Sequence, residues 1–261
     1  MSGAPLDALG AMRDPTIRIG LSGWSYPEWR RGFYKGVPQR RWLAHCAEQF
    51  NAIEVNATFY RALKPEIYRR WHDETPADFV FAVKGHRMVT HVLRLTEPRD
   101  SVLRERDSLA PLGDKLAVVL WQLPASLHRD DARLAGLIAA LGGWPGPRHA
   151  IEFRHDSWFC PAVAEALAGV GVANCLSDSP RWKMWRETTT DLVYVRLHGN
   201  PRLYASKYED DALRGWARLI RRWRRDGRTV HAYFDNDADG HAPYDALRLM
   251  KLLDRRRNGA A

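Results

Sequence analysis

At 261 residues the chain can form one large core or two small domains, and a content of 45% hydrophobic and 27% charged residues is that of a soluble globular protein. The formal charge of +9 rests on 33 arginines and only seven lysines, which favours anionic partners such as phosphate esters or nucleic acid. No apolar run reaches the length of a membrane span, and Cys46, Cys160 and Cys175 are too far apart for a disulfide framework or a zinc ribbon.

Residues 1–15 lack the basic start and apolar block of a secretory signal and read as a disordered leader. Together with the cysteine usage this points to a cytoplasmic protein. The first expected strand covers residues 17–23, and an aromatic loop with Trp24, Tyr26, Trp29, Phe33 and Tyr34 follows it. Residues 38–50 place Leu43, Cys46, Ala47 and Phe50 at helical spacing. Residues 52–59 read as the second strand, with Glu54, Asn56 and Thr58 on one face. A helix over 65–74 and a strand over 79–84 come next, the latter ending at Lys84 and His86.

Residues 87–97, with His91, read as a long loop; 98–112 is helical, 116–123 a strand with Gln122 at its end, and 130–141 a helix. The stretch 149–158 is the fifth strand, and alternation puts Glu152, Arg154 and Asp156 on one face. A helix over 161–169, a strand over 172–178 and a tryptophan-rich loop over 180–187 follow. In the strand over 191–199, Tyr194, Arg196 and His198 oppose Val193, Val195 and Leu197. A basic helix over 209–225, a strand over 228–236 and a helix over 244–253 close the chain.

Eight strands, nearly all followed by a helix, run without a dividing linker. That pattern predicts a single α/β domain over residues 16–256, a closed (β/α)8 TIM-type barrel of parallel strands with outer helices. An open doubly wound sheet is the alternative, weakened because no Gly-x-Gly-x-x-Gly follows the first strand. In such barrels the site lies at the C-terminal strand ends. The candidates there are His198, Glu152 and Glu54 for proton transfer. For binding they are Ser22, Asn56, Lys84, Gln122, Arg154, Arg196 and Asn236, with Trp24, Tyr26, Tyr60, Trp158 and Tyr204 as a stacking wall or as plugs of the barrel top.

Several strand ends also match a known pattern. Gly20-Leu21-Ser22-Gly23-Trp24-Ser25-Tyr26, Phe33-Tyr34, the run from Phe50 to Tyr60, Phe81-Ala82-Val83-Lys84 and Thr90-His91 form its first half. Gln122-Leu123-Pro124, Glu152-Phe153-Arg154-His155 with Trp158, Val195-Arg196-Leu197-His198-Gly199, Tyr233-Phe234-Asp235-Asn236-Asp237 and Ala242-Pro243 form the second. On these blocks, spread over residues 17–253, the chain resembles the YecE-like family, the proteins labelled domain of unknown function 72. The resemblance implies a TIM-like barrel but supplies little chemistry, since the family has no settled activity. Asp235 departs from it, where a neutral Asn-like residue is expected.

The site residues admit more than one use. Glu54 and Glu152 can serve as base and acid, or be neutralised by Arg154 and Arg196. Lys84 can bind an anion, form a Schiff base with a carbonyl, or pair with Glu54. A metal would draw on His86, His91, His198, Glu54, Glu152, Asp178 and Asp235, types that suit zinc or manganese, but no short ligand spacing appears. Arg221-Arg222-Trp223-Arg224-Arg225 and Arg255-Arg256-Arg257 are solvated helix faces or a nucleic-acid footprint.

The leading expectation is a barrel that binds a small phosphate ester or sugar-like anion at its mouth, with metal-free acid–base chemistry and no resident cofactor. A divalent-metal phosphodiester hydrolase acting on nucleic acid and a non-catalytic binding barrel are the alternatives.

Overall fold

The computed structural model describes residues 16–254, so the leader over 1–15 and the arginines at 255–257 lie outside the described residues. Eight strands close into an all-parallel barrel in sequence order. They are β1 (Ile17–Ser22), β2 (Ala52–Val55), β3 (Val80–Lys84), β4 (Leu116–Gln122), β5 (Arg148–Glu152), β6 (Ala173–Asp178), β7 (Leu192–Leu197) and β8 (Thr229–Phe234). The helices α1 (Trp42–Gln49), α2 (Ala57–Tyr60), α3 (Pro65–Asp73), α4 (Arg99–Leu109), α5 (Asp131–Gly142), α6 (Pro161–Ala168), α7 (Asp210–Arg225) and α8 (Ala242–Asp254) lie in the connections and after β8. Local chemistry sets several boundaries. Pro65 and Pro161 open α3 and α6, where a missing N–H costs nothing. The Asp130 carboxylate caps α5 by accepting from the Arg133 amide at 3.0 Å. Leu213, Trp216, Ala217 and Ile220 recur at helical spacing on α7 and form its buried stripe.

Two apolar layers result. Ile19, Leu21, Ile53, Val119, Trp121, Val193 and Val195 point outward and meet the helices. Ala52, Ala82, Leu120, Ala150, Ala173, Cys175, Tyr194 and Tyr233 fill the barrel itself. The small residues make room for two tyrosine rings whose centroids are 5.3 Å apart. At Gly20 the β1 backbone passes so close to β2 that an added Cβ would stand 2.0 Å from the Ala52 carbonyl oxygen. Gly20→Ala is therefore expected to cost at least about 3 kcal/mol, read as a drop in denaturant midpoint, because the obstacle is backbone and cannot rotate away.

The structure moves several expected boundaries. The second strand ends at Val55, not at residue 59: Asn56 adopts helical angles (φ −96°, ψ −19°) and α2 follows. The fifth strand ends at Glu152, because His155 caps a short turn over Asp156–Trp158 by accepting from the Ser157 amide. Asp156 thus leaves the face of Glu152 and pairs with Lys183 at 2.9 Å on the surface. The loop over 87–97 contains a π-helical turn, Met88–Val92, and the helix expected over 98–112 finishes as a tighter turn from Ala110 to Lys115. No helix forms over 180–187, as the sequence implies. No described helix is long and apolar enough to cross a membrane.

Candidate functional site

Inward-facing positions at the C-terminal strand ends carry charge where the layer below carries alanine and tyrosine. Register places Ser22 beside Glu54, Gln122 beside Glu152 and Ser177 beside Arg196. Arg196 crosses the barrel and is fully buried. Its Nε donates to both Glu54 oxygens at 3.0 Å, its Nη1 to Glu152 Oε2 at 2.9 Å, and its Nη2 to Glu54 Oε1 at 2.7 Å and to Asp235 Oδ2 at 3.0 Å. The Tyr194 hydroxyl donates to Glu54 Oε2 at 2.6 Å, and the Ser22 hydroxyl donates to Glu54 Oε1. One guanidinium therefore ties three carboxylates from β2, β5 and the end of β8 into a single lattice.

The lattice sets the local protonation. Burial pushes the Glu152 carboxyl up, but the Arg154 and Arg196 guanidiniums outweigh it and hold it well below the usual range. Burial likewise opposes Asp235, which Arg196 and His198 bring down to about 2. Asp237, two residues on, goes the other way: burial and then the charge of Asp235 push it up to about 6. His198 Nδ1 lies 2.8 Å from Asp235 and its Nε2 3.7 Å from Glu152. Burial and the Arg196 charge push the imidazole down, so it stays neutral.

Two further cations stand over this floor. Arg154 donates from Nε to Glu152 Oε1 at 2.7 Å and lies 4.0 Å over the Trp182 ring, which leaves its two terminal nitrogens without a partner among the described residues. Lys84 sits 4.1 Å above the Phe59 ring and makes no ion pair or hydrogen bond among the described residues. Burial, then the charge of Arg196, bring its ammonium down to about 8. His91, edge-on to the same Phe59 ring at 4.9 Å, is held at about 4 by burial and by Lys84 and Arg154.

The expected site residues separate into groups. Ser22, Glu54, Lys84, Glu152, Arg154, Arg196 and His198 converge at the mouth, and Gln122 is buried beside Glu152, donating to the Leu123 carbonyl at 2.7 Å. Asn56 donates to the Ser22 hydroxyl at 2.9 Å and joins Trp24 and Tyr26 in a cleft of about 550 Å³ that continues to Leu63 and Trp71. Asn56 Oδ1 is buried without a hydrogen-bond partner among the described residues. The stacking wall is not one surface. Trp158 is buried between strand and helix, with its indole N–H on the Leu127 carbonyl at 2.8 Å, because the chain turns away after Glu152. Tyr60, 68% exposed, touches only Phe59 among the described aromatic rings. Asn236 clamps Ser206 and Asp245 behind β8 instead of facing the mouth.

Trp182 and Asp237 join this region without having been singled out. Trp182 covers Arg154, meets His198 edge-on at 5.2 Å and donates to the Ser177 hydroxyl at 2.9 Å. Tyr204, expected in the stacking wall, does reach the mouth and faces His198 at 5.6 Å. Asp237 had a sequence signal, since it lies in the block Tyr233–Asp237, but its altered acidity depends on packing. Among the described residues no three His, Cys, Asp or Glu side chains group in a way that could hold a metal ion.

A closed parallel barrel with a polar mouth at its C-terminal strand ends is a TIM-type (β/α)8 protein. The chain belongs to the family described as protein of unknown function DUF72, whose model matches residues 18–261. It is similar to the UPF0759 protein YunF of Bacillus subtilis (strain 168), with 26% identity over 94% of this chain and 97% of that protein. It is 31% identical to the UPF0759 protein YecE of Escherichia coli (strain K12) over 60% of this chain and 55% of that protein. A crystal structure of a DUF72 family protein from Thermotoga maritima MSB8 superposes with a TM-score of 0.82 at 26% identity, covering 91% of this chain and 99% of the other.

Proposed function

We propose that the barrel mouth binds a small anion, a phosphate ester or sugar-like acid, and exchanges protons with it by metal-free acid–base chemistry. The observation that carries this reading is Lys84, a half-buried cation that makes no ion pair among the described residues and has two guanidiniums beside it. A buried charge is costly unless paired, and an anionic ligand supplies the missing partner. Arg154 offers its free guanidinium edge to the same group. Glu54 and Glu152 serve as fixed counter-charges to Arg196, a role that leaves proton transfer to Asp237, whose acidity near 6 suits work close to neutrality. His198 holds Asp235 in place and adds no charge. The rest of the ligand extends towards Asn56 and Trp24, whose cleft borders the mouth where Asn56 donates to the Ser22 hydroxyl.

The pH dependence follows from Lys84. Only the ammonium attracts an anion, and it loses its proton above about pH 8. Affinity for a sugar phosphate, titrated calorimetrically between pH 6.5 and 9.5, is expected to be flat below pH 8 and to fall above it. Lys84→Arg, which cannot deprotonate in this range, is expected to abolish the fall. A wild-type profile that stays level through pH 9.5 would remove Lys84 from the site. Asp237→Asn in the same titration should retain binding, and loss of turnover in that variant alone separates an enzyme from a binding barrel.

A further inference from the structure

We infer that the groove between α7 and the segment leading into β7 is a second binding site, built for a compact anion that carries two or three linked phosphates. The groove holds about 650 Å³, the size of a small-ligand site, and is separate from the mouth. Arg218, Arg222 and Arg225 line it from α7, Arg186 lines it from the other wall, and Met184 and Leu219 lie between them. Arg221 lines it as well, engaged with the Leu252 carbonyl.

The charge there is nearly uncompensated. Arg186, Arg218 and Arg225 make no ion pair among the described residues. Arg222 reaches Asp226 only at 3.9 Å, with both side chains more than half exposed, a contact of little strength. Among the described residues Asp178 is the one carboxylate lining the groove, and it already accepts from the Tyr208 hydroxyl at 3.0 Å. Like charges three and four residues apart destabilise a helix. The negative end of the helix dipole accounts for Arg222 and Arg225 in the last turn of α7. It does not account for Arg218 in mid-helix, nor for Arg186 on the opposite wall.

That opposite wall is held in advance. Asn174 donates to the carbonyls of Trp185 and Glu187 at 3.1 and 2.9 Å, and the Trp185 ring stacks on Phe159 at 5.5 Å. Arg186, between those two anchors, is thus kept against the arginine face despite the repulsion. Guanidinium forks match phosphate oxygens bidentately. From Arg218 to Arg225 the helix advances about 10 Å, further than one phosphate group can bridge. A chain of phosphates engages both walls and the whole row.

The probe is inorganic tripolyphosphate, titrated calorimetrically into the full-length protein at constant ionic strength beside orthophosphate. Tripolyphosphate is expected to bind at least tenfold tighter than orthophosphate. Arg218→Glu with Arg222→Glu is expected to weaken it at least tenfold, and the milder Arg225→Ser to weaken it severalfold with an unchanged thermal midpoint. Because the mouth reading gives Lys84 an anion of its own, the titrations are repeated in Lys84→Met: tripolyphosphate binding that persists there and is lost on adding the arginine substitutions belongs to the groove, so that failure here is distinct from failure of the mouth reading. Equal affinity for the two phosphates, or undiminished binding in both arginine variants, overturns the proposal. So does affinity for single-stranded oligonucleotides that keeps rising with length beyond the groove, which would assign these arginines to a nucleic-acid backbone.

Discussion

Arg196→Met is expected to destabilise the barrel by about 3–5 kcal/mol, because the substitution leaves Glu54, Glu152 and Asp235 buried without their shared cation. The loss is read from the midpoint and slope of urea unfolding. It comes from stranded carboxylates and not from a lost volume, since methionine fills most of the same space. Adding Glu54→Gln and Glu152→Gln to the same chain should therefore recover a large part of it. If the triple variant is no more stable than Arg196→Met alone, the lattice is not what Arg196 holds.

The same lattice sets an acid limit. Glu152 and Asp235 have folded-state pKa values held below their unfolded ones, so the stability they confer is complete above about pH 4. It is lost as pH falls towards 2, the value to which Asp235 is brought down. In Arg196→Met the carboxylates lose the partner that depresses them, so the difference between variant and wild type should narrow as the medium is acidified. A gap that widens on acidification would show that these groups do not carry the penalty.

The residues of this lattice were legible in the sequence because strand periodicity is strict. Tyr194, Arg196 and His198 alternate with Val193, Val195 and Leu197, and once both faces of a strand are buried, charge on one of them has to be paired or used. The choice between the two readings of Glu54 and Glu152 was not legible. It depends on Arg196 lying between strands that are far apart in sequence, with Glu54 142 residues away and Glu152 44 away. The ends of β2 and β5 were overextended for a related reason. Asn56-Ala57-Thr58 and Arg154-His155-Asp156 continue the alternation by accident, while the backbone has already turned.

Trp158 was misplaced by that error, since its loop position followed from the assumed strand. Trp182 and Arg186 sit in a segment with no periodicity at all, and what they face is decided by Asn174 and by α7. The acidity of Asp237 is a sum of burial and of the neighbouring Asp235 charge, neither of which composition reveals. Topology was predictable from local pattern; electrostatics required the folded geometry.

Lys84→Met should move binding and stability in opposite directions. A hydrogen bond to a charged group contributes about 1.5–3 kcal/mol, so affinity for the anion is expected to fall about 10- to 100-fold. Stability at pH 7 is expected to rise, because the variant no longer carries a half-buried cation hemmed in by Arg196 and Arg154. The sign follows from the proton balance. The folded-state pKa of Lys84 is lowered, so between about pH 8 and its unfolded value the unfolded chain holds more protons and wild-type stability increases with pH. Lys84→Met lacks that increase, and its advantage should vanish as Lys84 in the wild type becomes neutral. Arg154→Met should weaken binding to a similar degree but lower stability as well, since it strips Glu152 of one partner and Trp182 of its stacked guanidinium. A Lys84→Met protein that is less stable than wild type at pH 7 would mean that the ammonium is already satisfied within the fold. A protein that gains stability while losing the anion would mark Lys84 as a residue kept for its ligand at a cost to the barrel.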